Sequence, residues 1–414
     1  MSPQLLEKRI TDRSASVGVI GLGYVGVPLA RRAAECGYPV IGIDKYMDCE
    51  RLESLRGPGI DTSSDFSALS DCDILLVCVP TPLAEGQLPD TSFIYEATAG
   101  VAESLKKGGG ARLVVLESTS YPGTTREIIL PVFQKQGFDI GRELLLAFAP
   151  ERVDPGTGSL LYQEIPRVVG GIDAESGRVA CAFYRTLVDQ VSLVATPEIA
   201  EMAKLLENIF RAVNIALVNE MALLCRRMEI DIWEVVEAAA TKPFGFMSFK
   251  PGPGLGGHCI PVDPFYLAWK AKKYDFYPEF IELAGKVNRG MPFHVVEWVA
   301  DALNQVGKSI SSSRVLVVGV AYKERVGDTR ESPALKVIQL LSERGGDIIY
   351  HDPFVERIET GGREYTSNAL DRDTIDGCDC ILIVTAHPGI DFELIAASGV
   401  PVVDTRNVLG RGGR

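Results

Sequence analysis

Two kinds of hydrophobic periodicity alternate along the first half of the chain. Val17-Gly18-Val19-Ile20 is a short unbroken apolar run, as expected of a strand buried on both faces, and Pro39-Val40-Ile41-Gly42-Ile43 repeats it before ending at Asp44. Pro28 to Gly37, between them, has helical spacing, so the three segments predict one βαβ unit. Further apolar runs at 74–79, 113–116 and 144–148 alternate with helix-length segments, which predicts a doubly wound parallel sheet reaching to about residue 195. A weaker copy of the plan follows residue 310: Arg314–Gly319 reads as a first strand, Ile348–Asp352 as a second with its terminal acid, and 379–384 echoes 73–78.

Between the two copies the period changes to that of a long helix. Thr196-Pro197-Glu198 combines a capping hydroxyl, a proline in the first turn and an acid at the positive end of the helix dipole. Ile199, Met202, Leu205, Leu206, Ile209, Val213, Leu217, Met221 and Leu224 then recur at helical spacing to about residue 228, a span of roughly 45 Å at 1.5 Å per residue. Such a helix is expected to link the domains and contribute to a dimer interface. The expected fold class is α/β: two Rossmann-like doubly wound parallel-sheet domains joined by a long central helix and helical dimerisation region. The expected boundaries are 1–195, 196–300 and 301–414.

Composition narrows the function. With 414 residues and 46% hydrophobic content the chain can bury several cores, and a net charge of −13 argues against a general nucleic-acid or anionic-membrane surface. Met1–Ser16 is too charged for a signal peptide and no stretch reaches roughly 18 uninterrupted apolar residues, so the expected location is cytoplasmic. The nine cysteines lack a Cys-x-x-Cys spacing, and Cys72, Cys78, Cys378 and Cys380 lie in strand-like apolar runs, where buried reduced thiols are ordinary. With only four histidines, no metal site is expected.

Three motifs carry chemistry. Gly21-Leu22-Gly23-Tyr24-Val25-Gly26 follows a buried strand, opens a helix and precedes Asp44 by eighteen residues, the context a dinucleotide fingerprint requires. Gly21 permits the turn, Gly23 lets backbone approach a pyrophosphate and Gly26 lets the helix pack on the strand, while Asp44 favours NAD over NADP by accepting from the ribose hydroxyls. Lys45 is the one nearby cation that weakens this preference. Lys204 and Asn208, one turn apart on the long helix, can face one pocket and hold a hydroxyl or oxyanion. For an isolated pair an exposed lysine is the commoner outcome, and Glu201, Glu207 and Arg211 beside it read as solvated charges, with Arg211 within reach of a phosphate. The third motif, Pro251-Gly252-Pro253-Gly254-Leu255-Gly256-Gly257-His258-Cys259, is a loop that brings a thiol forward on backbone almost free of side chains. A nicotinamide site plus a nucleophilic thiol implies oxidation through an acyl-enzyme, with Asp263 able to orient a water or a lysine. His258, next to the thiol, is not expected to be its base.

These motifs occur in the order found in the nucleotide-sugar 6-dehydrogenases, the UDP-glucose dehydrogenase superfamily, which the chain resembles over essentially its whole length. Glu-Ser-Thr at 117–119, Ala-Pro-Glu-Arg-Val at 149–153 and Asp-Thr-Arg-Glu-Ser-Pro at 328–333 complete the pattern, and Ala-Phe-Ala-Pro-Glu-Arg-Val-Asp-Pro-Gly with Ala-Thr-Lys-Pro-Phe-Gly-Phe-Met resembles the bacterial UDP-N-acetylglucosamine 6-dehydrogenase branch. The resemblance implies a four-electron oxidation of the sugar C6 alcohol to a carboxylate by two NAD in sequence, with Cys259 as nucleophile. It implies Lys204, Asn208, Asp263, Thr119 and Glu151 as its catalytic company. Tyr24, Val25, Thr81 and Arg330 join the glycines and Asp44 as cofactor contacts. The implied partner is a UDP-sugar, contacted by Glu151, Arg152, Lys204, Asn208, Arg211, Gly256, Lys323 and Arg406, in a homodimer. One departure stands out: Lys250 occupies a loop position where the branch has an aromatic residue. The alternatives are UDP-glucose or UDP-N-acetylmannosamine as substrate, a two-electron hydroxyacid-type dehydrogenase, and a catalytically silent nucleotide-sugar sensor.

Overall fold

A computed structural model of the chain describes residues 2–153, 161–257 and 260–410. It divides into two compact units, one formed by residues 1–207 with 265–276 and the other by 208–264 with 277–414.

The first unit contains β1 (Val17–Ile20), β2 (Val40–Ile43), β3 (Ile60–Ser63), β4 (Ile74–Val77), a small hairpin of β5 (Leu83–Ala84) and β6 (Leu88–Pro89), β7 (Arg112–Leu116), β8 (Leu144–Phe148), β9 (Arg167–Gly171) and β10 (Val191–Val194). Its main sheet has the order β10-β9-β8-β7-β4-β1-β2-β3. From β3 to β8 neighbouring strands are parallel, in register through Ile20↔Ile43 and Ile20↔Val77, the Rossmann order with its switch point between β1 and β4. The apolar runs are unbroken because both faces are covered. Val17, Val19, Ile74, Leu76, Leu113 and Val115 enter one core, and Ile20, Leu75, Val77, Val114 and Leu116 enter the other. The helix after β1 spans Gly26–Glu35 rather than 28–37.

The apolar pattern predicted a parallel sheet, but the sheet is not parallel throughout. β9 pairs antiparallel with β8, and β10 runs parallel to β9. A parallel neighbour needs a crossover, usually a helix, whereas the described residues between β8 and β9 hold only the short turn Tyr162–Glu164. Three strands escape the pattern for physical reasons. Ile60-Asp61-Thr62-Ser63 is an edge strand with polar residues, Arg167-Val168-Val169-Gly170-Gly171 ends in glycines, and β10 is half exposed.

The second unit carries β11 (Arg314–Val318), β12 (Asp347–His351), a hairpin of β13 (Arg357–Thr360) and β14 (Arg363–Thr366), β15 (Cys380–Ile383) and β16 (Val402–Asp404). Its four-stranded sheet, β12-β11-β15-β16, is parallel throughout. Apolar cores cover both faces: Val337, Ile338 and Val299 pack on one, Ile375, Ile390 and Ile395 on the other. The second copy of the plan is therefore also doubly wound.

The long helix spans Pro197–Arg227; its residues through Glu207 belong to the first unit and those from Asn208 to the second. It is long and apolar enough to cross a membrane by length and composition alone, yet it buries Glu201, Lys204, Asn208 and Asn219. Of the predicted apolar stripe only Leu205 is fully buried, while Ile199, Met202, Leu206, Leu217 and Leu224 are exposed. Ala200, Ala212, Ala216 and Ala222 turn inward with the four polar residues. Small side chains allow close approach, and Glu201, Asn208 and Asn219 each find hydrogen-bond partners inside.

Candidate active site

In the first unit the candidate residues fall on consecutive loops at the carboxyl ends of adjacent parallel strands, where open α/β sheets bind ligands. Gly21–Gly26 follows β1, Thr81 lies shortly after β4, Thr119 after β7 and Glu151 after β8. The glycines fit a dinucleotide. At Gly21, with φ of 91°, a Cβ would strike the Cys78 carbonyl, and at Gly26 it would strike the Gly21 carbonyl. A Cβ at Gly23 would meet nothing within 4 Å, leaving that backbone open to a phosphate. Tyr24 is exposed and Val25 packs on the core beside it. Asp44 accepts from the amide of Leu22 at 3.0 Å and from those of Tyr46 and Met47 at 3.0 and 3.1 Å, which fixes the carboxylate at the end of β2. Lys45 lies 3.7 Å from Glu96.

Glu151 sits in a buried polar cluster. Its carboxylate accepts from the amides of Arg152 and Val153 at 2.6 and 2.8 Å, from Tyr162 Oη at 3.0 Å and from Arg167 Nη2 at 2.8 Å. Burial pushes its pKa up, but Arg167 and the donated hydrogen bonds outweigh this and hold the carboxyl below its ordinary value. Arg167 also reaches Glu117, 3.3 Å away, and Glu117 accepts from Tyr184. There burial wins, and the Glu117 carboxyl is pushed up to about 7. Arg152 does not point freely toward a substrate: it pairs with Glu207 on the long helix at 2.6 Å and donates to the Pro166 carbonyl.

Lys204 is buried, only 9% exposed, so the exposed-lysine alternative does not hold. Glu201, expected to be solvated, is fully buried and receives hydrogen bonds from the amides of Gly123 and Thr125 and from the Thr125 hydroxyl. Glu207 is part-buried in its ion pair, whereas Arg211 is exposed as expected.

In the second unit the structure joins Asn208 to Asp263. Both are buried, and Asn208 Nδ2 donates to Asp263 Oδ2 at 2.5 Å. Asp263 opens the helix Asp263–Lys272, where the positive dipole end stabilises a carboxylate. The preceding loop is irregular and built around glycine, as the sequence requires. Gly254 and Gly257 have φ of 132° and 87°, a Cβ at Gly256 would press on Tyr322, and the Gly257 amide donates to the Arg330 carbonyl at 3.1 Å. The Gly252 amide donates to Asn219 Oδ1 at 2.9 Å, Asn219 to Asn288 at 3.0 Å, and Asn288 to the Ala212 carbonyl at 3.0 Å. This amide relay was missed in the sequence, although two asparagines on otherwise apolar helix faces were a usable signal. His258 and Cys259 lie outside the described residues. Lys250 is exposed.

Arg406, after β16, donates from Nε to the Val384 carbonyl at 2.7 Å and lies against the glycine loop, since a Cβ on Gly252 would come within 2.7 Å of its guanidinium. Desolvation draws its pKa down, with Glu324 and Asp404 opposing. Lys323 is half-buried in the loop after β11, and Arg330 grips Asp328 through Nε and Nη2 at 3.0 and 2.8 Å. Asp352, the counterpart of Asp44, accepts from the amides of Val320 and Ala321 and from buried His387, so it serves the fold. The buried thiols are no rivals as nucleophiles: burial pushes Cys72 and Cys380 up to about 12 and Cys378 to about 11.

Known families match the chain in the same sequence of parts. Residues 52–188 match the NAD binding domain of the UDP-glucose/GDP-mannose dehydrogenase family, 198–290 its central domain and 316–411 its UDP binding domain. The chain belongs to this family. A UDP-N-acetyl-D-glucosamine 6-dehydrogenase of Pseudomonas aeruginosa is 32% identical, over 94% of both chains. A UDP-N-acetyl-D-mannosamine dehydrogenase of Pyrococcus horikoshii is 33% identical over 95% of this chain and 96% of its own. The solved structure of the P. horikoshii UDP-D-ManNAc dehydrogenase superposes with a TM-score of 0.84, covering 95% of each chain. A UDP-glucose dehydrogenase structure from Pyrobaculum islandicum, 26% identical, gives 0.81 over 95% of this chain and 94% of its own. This family member is an NAD-dependent nucleotide-sugar dehydrogenase. Its glycine turn and Asp44 fit the cofactor, and a UDP-sugar is its substrate class.

Proposed function

We propose that this enzyme oxidises the C6 alcohol of UDP-N-acetylglucosamine to the carboxylate, through covalent intermediates on Cys259. The observation that carries the reading is the buried Asn208–Asp263 hydrogen bond of 2.5 Å, because it holds an amide and an acid side chain together at the start of the helix that follows the Cys259 loop. A two-electron dehydrogenase has no use for that thiol. The division of labour follows the sequence: residues 1–195 bind NAD, 196–300 carry the catalytic loop and the dimer contacts, and 301–414 bind the UDP-sugar.

The glycine turn and Asp44 would hold NAD, which would supply the hydride acceptor for both oxidations, and the C6 hydroxyl proton would pass to solvent in the first. Lys204 and Asn208 donate to the C6 oxygen and stabilise its negative charge. The Cys259 thiolate adds to the aldehyde carbon, and loss of the second hydride leaves a thioester. Water then adds to the C6 carbonyl, the C6–Sγ bond breaks, sulfur leaves as thiolate and the two protons of water pass to solvent. Asp263 and Thr119 orient that water. Glu151, held ionised by Arg167, acts as a fixed acceptor for the sugar or water, while Arg152 anchors its loop to the helix. Tyr24, Val25, Thr81 and Arg330 contact the cofactor; Arg211, Gly256, Lys323 and Arg406 contact the UDP-sugar. Two copies associate through the exposed apolar face of the long helix.

UDP-N-acetylmannosamine is the second reading, favoured by relatives of that name at 33% and 34% identity. Steady-state assays with UDP-N-acetylglucosamine, UDP-N-acetylmannosamine and UDP-glucose distinguish them. The highest kcat/KM is expected for UDP-N-acetylglucosamine, and a preference for either other sugar overturns that assignment. Lys250→Tyr tests the departure in the loop; an unchanged order of preference removes Lys250 from specificity.

A further inference from the structure

Glu201 has no place in the dehydrogenase motifs, yet it is the most completely enclosed acid on the catalytic helix. Its side chain is 0% exposed, one turn before Lys204 on the same face. Oε2 accepts from the Gly123 amide at 2.5 Å, and Oε1 accepts from the Thr125 amide at 2.9 Å and the Thr125 hydroxyl at 2.8 Å. Burial pushes its pKa up, and these donors offset that only in part. Three donors converge on one desolvated carboxylate, an arrangement that fixes both partners.

The segment held this way is the one that carries Thr119. Ser118 donates to the Val79 carbonyl at 2.7 Å, Thr124 donates to the Tyr121 carbonyl at 2.6 Å and accepts from the Ser120 hydroxyl 2.8 Å away, and Ser120 and Thr124 are buried. Thr119 therefore stands between two anchored serines, on a loop whose far end is tied to Glu201. Gly123 has φ of 104°, and one turn of π-helix, Thr125–Ile129, begins where the carboxylate accepts. Single π turns interrupt regular helices mostly where function requires a displaced backbone. Every one of these residues belongs to the first unit.

We infer that Glu201 is a positioning residue that couples the helix bearing Lys204 to the loop bearing Thr119, and so sets the place of the water that releases the product. The inference rests on the proposed thioester route. It separates Glu201 from Lys204 functionally: Lys204 serves the oxidations, whereas Glu201 acts only through Thr119, on hydrolysis.

Rapid mixing of enzyme, NAD and UDP-N-acetylglucosamine tests this, with NADH followed against active sites and the enzyme weighed intact for a covalent sugar adduct. Glu201→Gln places an amide donor opposite an amide donor, so it should give a burst of two NADH per site and then steady turnover at least about ten-fold slower than wild type, with the adduct accumulating. Thr119→Ala should give the same burst, and the double variant should be no slower than the slower single one. Thr125→Val, which removes one donor and leaves the carboxylate, should slow the same step by a smaller factor and serves if Glu201→Gln does not fold. Equal slowing of burst and steady phases, or a folded Glu201→Gln enzyme turning over within two-fold of wild type, overturns the inference. A wild-type burst ending at one NADH with free aldehyde overturns the thioester route itself, a result distinct from either.

Discussion

Glu117 and Glu151 meet on one guanidinium and are driven in opposite directions. Arg167 lies 2.8 Å from Glu151 but 3.3 Å from Glu117, and Glu151 gains two backbone donors and the Tyr162 hydroxyl while Glu117 accepts from the Tyr184 hydroxyl. Glu117 therefore binds its proton more tightly in the folded protein than in the unfolded chain. Its contribution to stability is fully present below the ordinary value of 4.5 and is lost as pH rises through about 7. Wild type should lose up to about 3 kcal/mol relative to Glu117→Gln across that window, measured by denaturant unfolding at both ends. A difference independent of pH would contradict the burial argument. At the other buried acid, Asp263→Asn should lower kcat on the order of 10²-fold with little change in KM, because the amide keeps its contact with Asn208 but cannot act on water as a carboxylate. An equal rise in KM would instead make Asp263 a binding residue. The motif residues were legible at this scale because their chemistry is written in their type and spacing. Glu201, Arg167, Asn219 and Asn288 were not, since their meaning comes from partners far away in the chain.

The long helix shows what periodicity can and cannot say. Its bounds were legible from the Thr-Pro-Glu start and the end of the repeat, and it closes at Arg227. Which face is buried was not. Ile199, Met202, Leu206, Phe210, Leu217 and Leu224 form one straight exposed stripe, while alanines and partnered polar residues face inward. Periodicity finds the stripe but does not say what covers it. Large apolar stripes left outside mark association surfaces. Leu217→Glu should convert a dimer to monomer in sedimentation velocity while leaving NAD binding intact. A wild-type protein that sediments as monomer would remove the dimer from the account.

For the whole molecule, the repeated βαβ plan was legible twice over, including the order of parts, because short parallel strands buried on both faces leave unbroken apolar runs. The antiparallel turn-back at β9 was not, because nothing local to Arg167–Gly171 specifies direction; only the lack of a crossover helix among the described residues does. The second copy keeps the terminal acid but spends Asp352 on its own backbone and His387, a fold-level echo with a changed role. The claim that unites both copies is a four-electron oxidation on one thiol, and product stoichiometry tests it most directly. With UDP-N-acetylglucosamine limiting and NAD in excess, the enzyme should yield two NADH for each sugar carboxylate, counted by absorbance and mass spectrometry on the same sample. One NADH per sugar, with an aldehyde or ketone as the final product, would contradict it.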